Sequence, residues 1–222
     1  MQALWLSVRL AILVAAILLV LATPLAYWLS KTAWRGKFLV ESVVALPLVL
    51  PPTVLGFYLL VAMGSSSVLG KLWLDWFGHT LAFTFTGLVV ASILYSLPFA
   101  VQPLMIAFES VDRRLLDAAA VLGAGRWRTF WEILLPLSRS GVITAAVLSF
   151  AHTLGEFGVV LMVGGNIPGV TRTVSIDIYD RVQAFDYAAA NRMALSLLLI
   201  SFAVLSTIYA VNRRVWAPWP TR

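Results

Sequence analysis

The sequence predicts an all-α polytopic membrane protein with five transmembrane helices, and two observations lead to this prediction. Hydrophobic types make up 61% of the 222 residues and charged types only 12%, whereas soluble domains have about 25% charged residues. The charges also leave long uncharged intervals at 10–30, 42–70, 76–108, 140–171 (interrupted only by Glu156) and 193–212. A spanning helix needs about 20 apolar residues. We therefore expect one transmembrane domain, 1–222, with spans at about 10–30, 42–63, 84–108, 140–163 and 193–212.

The first span, 10–30, is expected to be a retained helix. The alternative is a cleaved signal peptide, whose apolar run is usually about 7–15 residues long and ends at an Ala-x-Ala site. The run in this sequence is longer, and no such site follows it. We therefore count it as a span.

The second span is interrupted by prolines at Pro47, Pro51 and Pro52. Each proline removes a backbone donor and disrupts a helix. Irregular backbone at membrane depth is tolerated where protein or a water-filled cavity covers it, and discontinuous helices can line transport pathways. Pro51, Pro52 and Thr53 are therefore pathway candidates, with a simple packing kink as the alternative. Pro98 and Pro103 in the third span are expected to be kinks only.

The fourth span holds Ser149, His152 and Glu156 at spacings of three and four residues. This spacing predicts that the three side chains share one helical face. A metal site or an intramembrane protease is a weak alternative, because the sequence lacks His-Glu-x-x-His and His79 is its only other histidine. We predict no catalytic residue and no metal site, and expect His152 to be a hydrogen-bonded packing residue.

The distribution of Lys and Arg predicts the orientation. Loop 31–41, loop 109–139 and the C-terminus carry most of the cations, namely Lys31, Arg35, Lys37, Arg113, Arg114, Arg126, Arg128, Arg139, Arg213, Arg214 and Arg222. The other side carries Arg9, Lys71, Arg172, Arg181 and Arg192. The positive-inside rule places the first side in the cytoplasm and the N-terminus in the periplasm. The net charge of +6 is thus an orientation signal, and no nucleic-acid partner is expected.

Tryptophans near the span ends fit the same arrangement as interfacial anchors. They are Trp28, Trp34, Trp73, Trp76, Trp127, Trp131 and Trp216.

The cytoplasmic loop 109–139 is too long for a simple connector. Asp112 is placed to cap a short helix that runs through Leu122, and Gly123-Ala124-Gly125 would stop it. A second amphipathic turn is expected over 126–135, before Pro136 leads into the fourth span. On shape alone, this helix–bend–helix could be an interfacial anchor.

The spacing within this loop resembles the EAA loop of ABC-importer permeases. It reads Asp117-Ala118-Ala119, then Gly123, then Ile133-Leu134-Leu135-Pro136. The departure is Asp117 where the family usually has Glu, which keeps the carboxylate. The resemblance implies a type I ABC importer permease whose loop docks on an ATPase. The coupling residues it implies are Asp117, Ala118, Ala119, Gly123, Ile133, Leu135 and Pro136.

Further segments are similar to molybdate permeases and extend the resemblance over nearly the whole chain. They are 46–56 (LPLVLPPTVLG), 122–128 (LGAGRWR), 154–158 (LGEFG), 166–169 (NIPG) and 171–173 (TRT). Sulfate permeases share the Gly-Glu-aromatic-Gly and Asn-Ile-Pro elements more loosely. The resemblance implies a homodimeric permease in the inner membrane, two ATPase subunits, a periplasmic oxyanion-binding protein and molybdate import.

No Gly-x-x-x-x-Gly-Lys-Ser/Thr sequence occurs in the chain. ATP hydrolysis is therefore expected on a partner chain, and no cofactor is expected on this one. A sulfate or tungstate permease of the same architecture is the nearest alternative. A passive anion channel is the alternative of a different class, disfavoured because it would not need the EAA spacing.

If the substrate is molybdate, Glu156 would repel this dianion at short range. We therefore expect Glu156 to be an interhelical hydrogen-bonding or gating residue. Ser149, Thr153 and nearby backbone donors are better partners for an oxyanion. Together with Pro51, Pro52 and Thr53, these residues form the predicted pathway or gate.

The periplasmic segment 166–192 is the most polar outside region. Ile178, Val182 and Phe185 recur at helical spacing and predict a short surface helix that is expected to meet the binding protein. Arginines in this segment would attract an anion, or would be solvated loop charges. Asp186 is placed to cap the last span.

Overall fold

The computed structural model of the protein describes residues 2–212, with side chains up to residue 207. Arg213, Arg214, Trp216 and Arg222, which belong to the C-terminal segment predicted to be cytoplasmic, lie outside the described residues. The described part is all-α, as predicted, and contains no strand.

The described helices range from 3 to 30 residues in length. In chain order they are α1 (Gln2–Lys31), α2 (Lys37–Val49), α3 (Pro52–Met63), α4 (Val68–Phe77), α5 (Phe85–Glu109), α6 (Arg113–Val121), α7 (Arg126–Thr129), a π-helix (Phe130–Leu134), α8 (Leu135–Leu137), α9 (Arg139–Gly155), α10 (Gly158–Gly164), α11 (Val174–Gln183) and α12 (Tyr187–Asn212).

Three of these helices are long and apolar enough to cross a membrane alone: α1, α5 and α12 (over Tyr187–Thr207). Two bent pairs raise the number to five if each pair is one span. The first pair is α2 with α3, bent by 111°, and the second is Arg126–Leu137 with α9, bent by 72°. By length and composition, the described helices therefore provide three to five spans, which agrees with the predicted five. The membrane boundaries within each helix stay predictions.

The core is a bundle of α1, α5 and α9, which pack against one another along their lengths. The buried stripe of α1 recurs every three or four residues, at Leu10, Val14, Leu18, Ala22, Ala26 and Leu29. This spacing keeps one helical face against α5 and α9. Small residues allow helices to approach closely, which favours association inside a membrane. At Gly141 of α9, the backbone lies against Ala107 of α5.

A second unit forms beside this bundle, where α10 packs on α3 and on α5. Its buried residues include Met63, Tyr95, Val159 and Val163. The last helix, α12, contacts mainly α11 and to a lesser extent α9, and most of its surface stays uncovered in the single chain.

The structure differs from the sequence-based expectation in three elements. The segment after Gly64 is a turn followed by a ten-residue helix, α4, that begins at the capping residue Ser67. The stretch 126–135 is a short α-turn followed by a π-helix, rather than one amphipathic helix. The fourth span is interrupted, because α9 ends at Gly155 and α10 begins at Gly158.

Candidate functional site

The break between α2 and α3 follows directly from its two prolines. Leu50 and Pro51 are extended, with ψ angles of 136° and 135°, because a residue that precedes a proline is pushed out of the helical region. Pro52 then occupies the first position of α3, where its missing amide hydrogen costs nothing. The predicted interruption of the second span is therefore confirmed at Pro51 and Pro52, whereas Pro47 lies inside α2 and does not interrupt it. Pro51, Pro52 and Thr53 are exposed at the break.

The break between α9 and α10 is held by Glu156. Its backbone is extended, at φ −65° and ψ 137°, and its side-chain Oε1 accepts a hydrogen bond of 2.8 Å from the Val159 amide. A carboxylate at this position gives a hydrogen-bond partner to an otherwise free amide, and its negative charge interacts favourably with the positive end of the α10 dipole. The side chain is buried, with 7% of its surface exposed.

The prediction that Ser149, His152 and Glu156 share one helical face is therefore wrong at Glu156. Ser149 and His152 belong to α9, but the helix ends one residue before Glu156. The physical reason is that Glu156 caps the next helix: its side chain accepts a hydrogen bond from the Val159 amide, and its own backbone is extended, as is usual for a capping residue.

The two breaks lie against each other, although they are about 100 residues apart in sequence. A Cβ atom added to Gly158 would lie 2.6 Å from the Cβ of Pro52, and one added to Gly56 would lie 2.8 Å from the Cβ of Met162. Both distances are below normal van der Waals contact, so only glycine fits at these two positions. The junction of Pro51–Gly56 with Glu156–Met162, called the break junction below, is one packed unit.

Polar groups of α5 and α9 bond to each other inside the bundle. The Ser96 hydroxyl lies 2.9 Å from His152 Nδ1 and 3.0 Å from Thr153 Oγ1. The His152 ring stacks on Phe99 at a centroid distance of 3.9 Å. His152 is thus a hydrogen-bonded packing residue, as the sequence predicted. The described residues contain no group of three His, Cys, Asp or Glu side chains that could hold a metal ion.

The predicted oxyanion partners occupy two different environments. Thr53 is exposed at the break junction, whereas Ser149 and Thr153 are buried within the chain. The Ser149 hydroxyl is fully buried and has no hydrogen-bond partner among the described residues. In this conformation an anion would reach Thr53 from the surface, but not Ser149 or Thr153.

The helix–bend–helix of loop 109–139 forms as predicted at its first half. The Asp112 carboxylate accepts a hydrogen bond of 2.9 Å from the Arg114 amide and caps α6. At the other end, the Gly123 amide donates to the Ala120 carbonyl and the Ala124 amide donates to the Ala119 carbonyl. Gly123 has a φ of +81°, a left-handed conformation that favours glycine.

The residues of this loop divide between an inner and an outer surface. Ala119 is buried, Leu116 and Leu135 are half-buried against the bundle core, and Ile133 is half-buried. Asp117, Ala118, Gly123 and Pro136 are exposed. Val121 and Leu122 are also exposed, by 88% and 87%. Sequence reasoning did not single out these two residues, although two apolar residues beside a helix-ending glycine were a usable signal.

The polar segment 166–192 contains a helix as predicted, α11, which holds Ile178 and Val182. Phe185 lies beyond its end, with a φ of 59°, so the predicted helical spacing is wrong at that residue. Asp186 accepts a hydrogen bond of 3.1 Å from the Ala189 amide near the start of α12.

Two of the three arginines in this polar segment, Arg172 and Arg181, form ion pairs. Arg172 donates to Asn166 at 2.6 Å and lies 3.5 Å from Asp180. Arg181 lies 3.2 Å from Asp177 and 3.6 Å from Asp186. Both cations therefore hold the fold of this segment together.

Comparisons with known proteins agree with this geometry. A model of the family "Binding-protein-dependent transport system inner membrane component" matches residues 19–217. The chain is 54% identical to the molybdenum transport system permease protein ModB of Azotobacter vinelandii over 213 residues, which cover 96% of this chain and 94% of the relative. It is 33% identical to the sulfate transport system permease protein CysT of Escherichia coli K12 over 190 residues, 86% of this chain and 68% of the relative.

The fold is also similar to that of a solved structure. A chain of a bacterial ABC transporter involved in the import of the acidic polysaccharide alginate superposes with a TM-score of 0.79, covering 97% of this chain and 79% of that one. The sequence identity is 18%, so this likeness concerns the fold alone.

Proposed function

The chain belongs to the family of binding-protein-dependent transport system inner membrane components, and we propose that it is the permease subunit of an ATP-driven molybdate importer. The observation that carries this proposal is the 54% identity to a molybdenum transport permease over nearly the full length of both chains. The sulfate permease CysT matches at only 33% and over two thirds of its own length. The chain is a transport subunit, and the ATP that drives it is hydrolysed on separate subunits.

We assign ATPase binding to the outer surface of loop 109–139. Val121, Leu122 and Ala118 give this surface an exposed apolar patch at the tip of α6, and such patches on a folded protein mark interaction sites. The backbone turn at Gly123 fixes the position of the patch. Two copies of the permease, each with one such loop, match two ATPase subunits.

The inner surface of the same loop connects the patch to the bundle. Only residues 110–112 separate α5 from α6, and Val111 is buried in the bundle core. Lys37 bridges Glu109 and Glu41, at 3.3 and 3.2 Å, so the start of α2 is joined to the end of α5. A displacement of α6 would therefore act on α2 and α5 together, which suits a rocking motion of packed helices.

We place the pathway at the break junction, between two copies of the permease. Discontinuous helices at the interface of repeats line substrate sites in other transporters, and the exposed Pro51–Thr53 segment supports this location. The Glu156 carboxylate is engaged by the α10 amide, so its role here is to hold the break rather than to contact a dianion. Thr53 and the backbone around it are the proposed first contacts.

The proposed cycle follows from these parts. ATP binding closes the ATPase subunits, the two loops follow them, and the cavity opens outward to receive the oxyanion from a periplasmic binding protein. Hydrolysis returns the cavity to the inward-facing state. The segment 166–192, held together by Arg172 and Arg181, is the proposed contact for the binding protein.

The substrate is tested by competition in cells that lack their own molybdate permease and carry this chain with its ATPase and binding protein. We expect uptake of radioactive molybdate that excess unlabelled molybdate abolishes and excess sulfate leaves largely intact. Efficient inhibition by sulfate, together with uptake of radioactive sulfate, would instead identify a sulfate permease. A parallel competition with unlabelled tungstate measures how far the transporter distinguishes molybdate from tungstate.

A further inference from the structure

A deep cleft lies at the end of the bundle that carries loop 109–139. Its volume is about 1020 Å³, and it lies between the stretch 19–32 and the segment 126–135, with Val142 of α9 also in its lining. This size is at the upper end of the range for small-molecule sites, about 300–1,000 Å³. The cleft is remote from the break junction in sequence and shares no residue with it.

The walls of the cleft are apolar and aromatic. Leu19 and Val20 line it toward the middle of α1, while Tyr27, Trp127 and Phe130 line it toward the end. The Tyr27 ring meets Phe130 edge-on at 5.3 Å, and Trp127 stacks on Phe130 at 6.2 Å. The three rings thus pack on one another and form one continuous aromatic wall of the cleft.

Two cations stand at this cleft and no acidic residue lines it. The cations are Lys31 and Arg126, and neither forms an ion pair within the part of the chain that the structure describes. Arg128, two residues from Arg126, instead bonds to Glu132 at 2.8 Å. The two positive charges therefore favour an anion at one end of the cleft, while the apolar side chains favour a hydrophobic group along the rest of it.

The positions along α1 match the depth profile of one membrane leaflet. Lys31 is the last residue of α1, and Trp28 lies one turn before it, as expected for residues at headgroup depth. Leu19 lies 12 residues earlier, about 18 Å along the helix. Half of the hydrocarbon core is about 15 Å thick. The charged end thus lies at the height of lipid phosphates and the apolar end at the height of acyl chains.

We propose that this cleft binds an anionic phospholipid. The lipid phosphate lies between Lys31 and Arg126, and an acyl chain follows the wall from Tyr27 to Leu19. Basic pockets between transmembrane helices recognise anionic lipid headgroups in this way. The assignment of the leaflet to the cytoplasmic side rests on the proposed orientation, but the binding itself does not.

The experiment is native mass spectrometry of the full permease–ATPase complex with an equal mixture of phosphatidylglycerol and phosphatidylcholine. We expect the wild type to retain phosphatidylglycerol preferentially. Lys31→Gln and Arg126→Gln are each expected to lower the preference about fivefold, because one cation near the membrane surface contributes an attraction of that size. Arg128→Gln is the matched control and should keep the preference, as should Arg126→Lys.

Several results would overturn the proposal. Equal retention of the two lipids by the wild type would do so, as would a preference that survives in the Lys31→Gln/Arg126→Gln double variant. Displacement of the lipid by soluble glycerol phosphate would indicate a site for a free anion. Disulfide formation between two permease copies carrying Val20→Cys would show that a second copy covers the cleft, and the chain's lack of native cysteines makes this result unambiguous. None of these readouts depends on molybdate transport.

Discussion

At the scale of single residues, the break junction depends on a hydrogen-bond acceptor at one position and on the absence of a side chain at two others. Glu156 supplies an acceptor for the Val159 amide at 2.8 Å. Gly158 and Gly56 supply the absence of a side chain where Pro52 and Met162 approach. These residues act through the shape of the backbone rather than through contact with a substrate, so substitutions at them test the structural part of the account.

Glu156→Gln is expected to retain most of the molybdate uptake, because the amide oxygen can still accept the bond from Val159. Glu156→Ala leaves that buried amide without a partner, and loss of such a cap costs about 0.5–2 kcal/mol. Uptake measurements, with the thermal midpoint of the purified permease alongside, distinguish the two. If Gln abolished uptake as completely as Ala, the negative charge itself would be required and the capping role would be insufficient.

Gly123→Ser is expected to weaken co-purification of the ATPase while the permease stays in the membrane. A side chain at its φ of +81° costs roughly 1–2 kcal/mol and shifts the turn that presents Leu122. Gly125→Ser is the matched control, because Gly125 has a φ of −66° and has no neighbouring atom within 4 Å of an added Cβ. Equal ATPase recovery from both variants would remove Gly123 from the coupling role.

At the scale of elements, the packing of α3 on α10 makes one unit out of two interrupted helices. Gly56→Val is expected to destabilise the permease by about 1–3 kcal/mol, the usual cost of overpacking a well-filled contact. The added atoms would meet both the Met162 side chain and the Val159 backbone. Gly155→Val is the control, since nothing lies within 4 Å of its added Cβ. The measurement is the unfolding midpoint of each variant in detergent. Equal midpoints for Gly56→Val and Gly155→Val would contradict the close packing of α3 on α10.

The two breaks also differ in how far the sequence could predict them. The first was predictable, because two consecutive prolines push the residues before them, Leu50 and Pro51, into the extended region. A single proline is not enough, since Pro98 and Pro103 lie inside the continuous helix α5. The second contains no proline, and the decisive bond runs from Glu156 to an amide of the following helix. The spacing of Ser149, His152 and Glu156 instead suggested a continuous face. Only the flanking Gly155 and Gly158 hinted at a break, and the contact of Gly158 with Pro52 of α3 depends on tertiary packing.

Signals within a few residues predicted one of the remaining elements, α6, but not α4 or the π-helix. The Asp112 cap and the Gly123 turn predicted α6 correctly, because both act within a few residues. The helix α4 was not predicted, although Ser67 caps it and Gly78 ends it with a φ of 73°, because its ten residues are too few for a span and lie between the predicted spans 42–63 and 84–108. The π-helix at 130–134 has no sequence signature of this kind.

At the scale of the whole molecule, the orientation determines which surface meets the ATPase and which meets the binding protein. The chain has no cysteine, so single cysteines report their location without background. We expect Val68→Cys to react with a membrane-impermeant maleimide in spheroplasts, where the periplasmic face is open. Val121→Cys should react only after the membrane is permeabilised. Both side chains are highly exposed, so a reversed pattern would mean a reversed orientation.

In the proposed mechanism, this chain moves molybdate only when an ATPase drives it through loop 109–139. Radioactive molybdate accumulation in proteoliposomes containing the permease, its ATPase and its binding protein tests this dependence. We expect accumulation that requires ATP and disappears when the ATPase is omitted. Molybdate flux of equal size without ATP and without the ATPase would instead identify the chain as a passive anion channel.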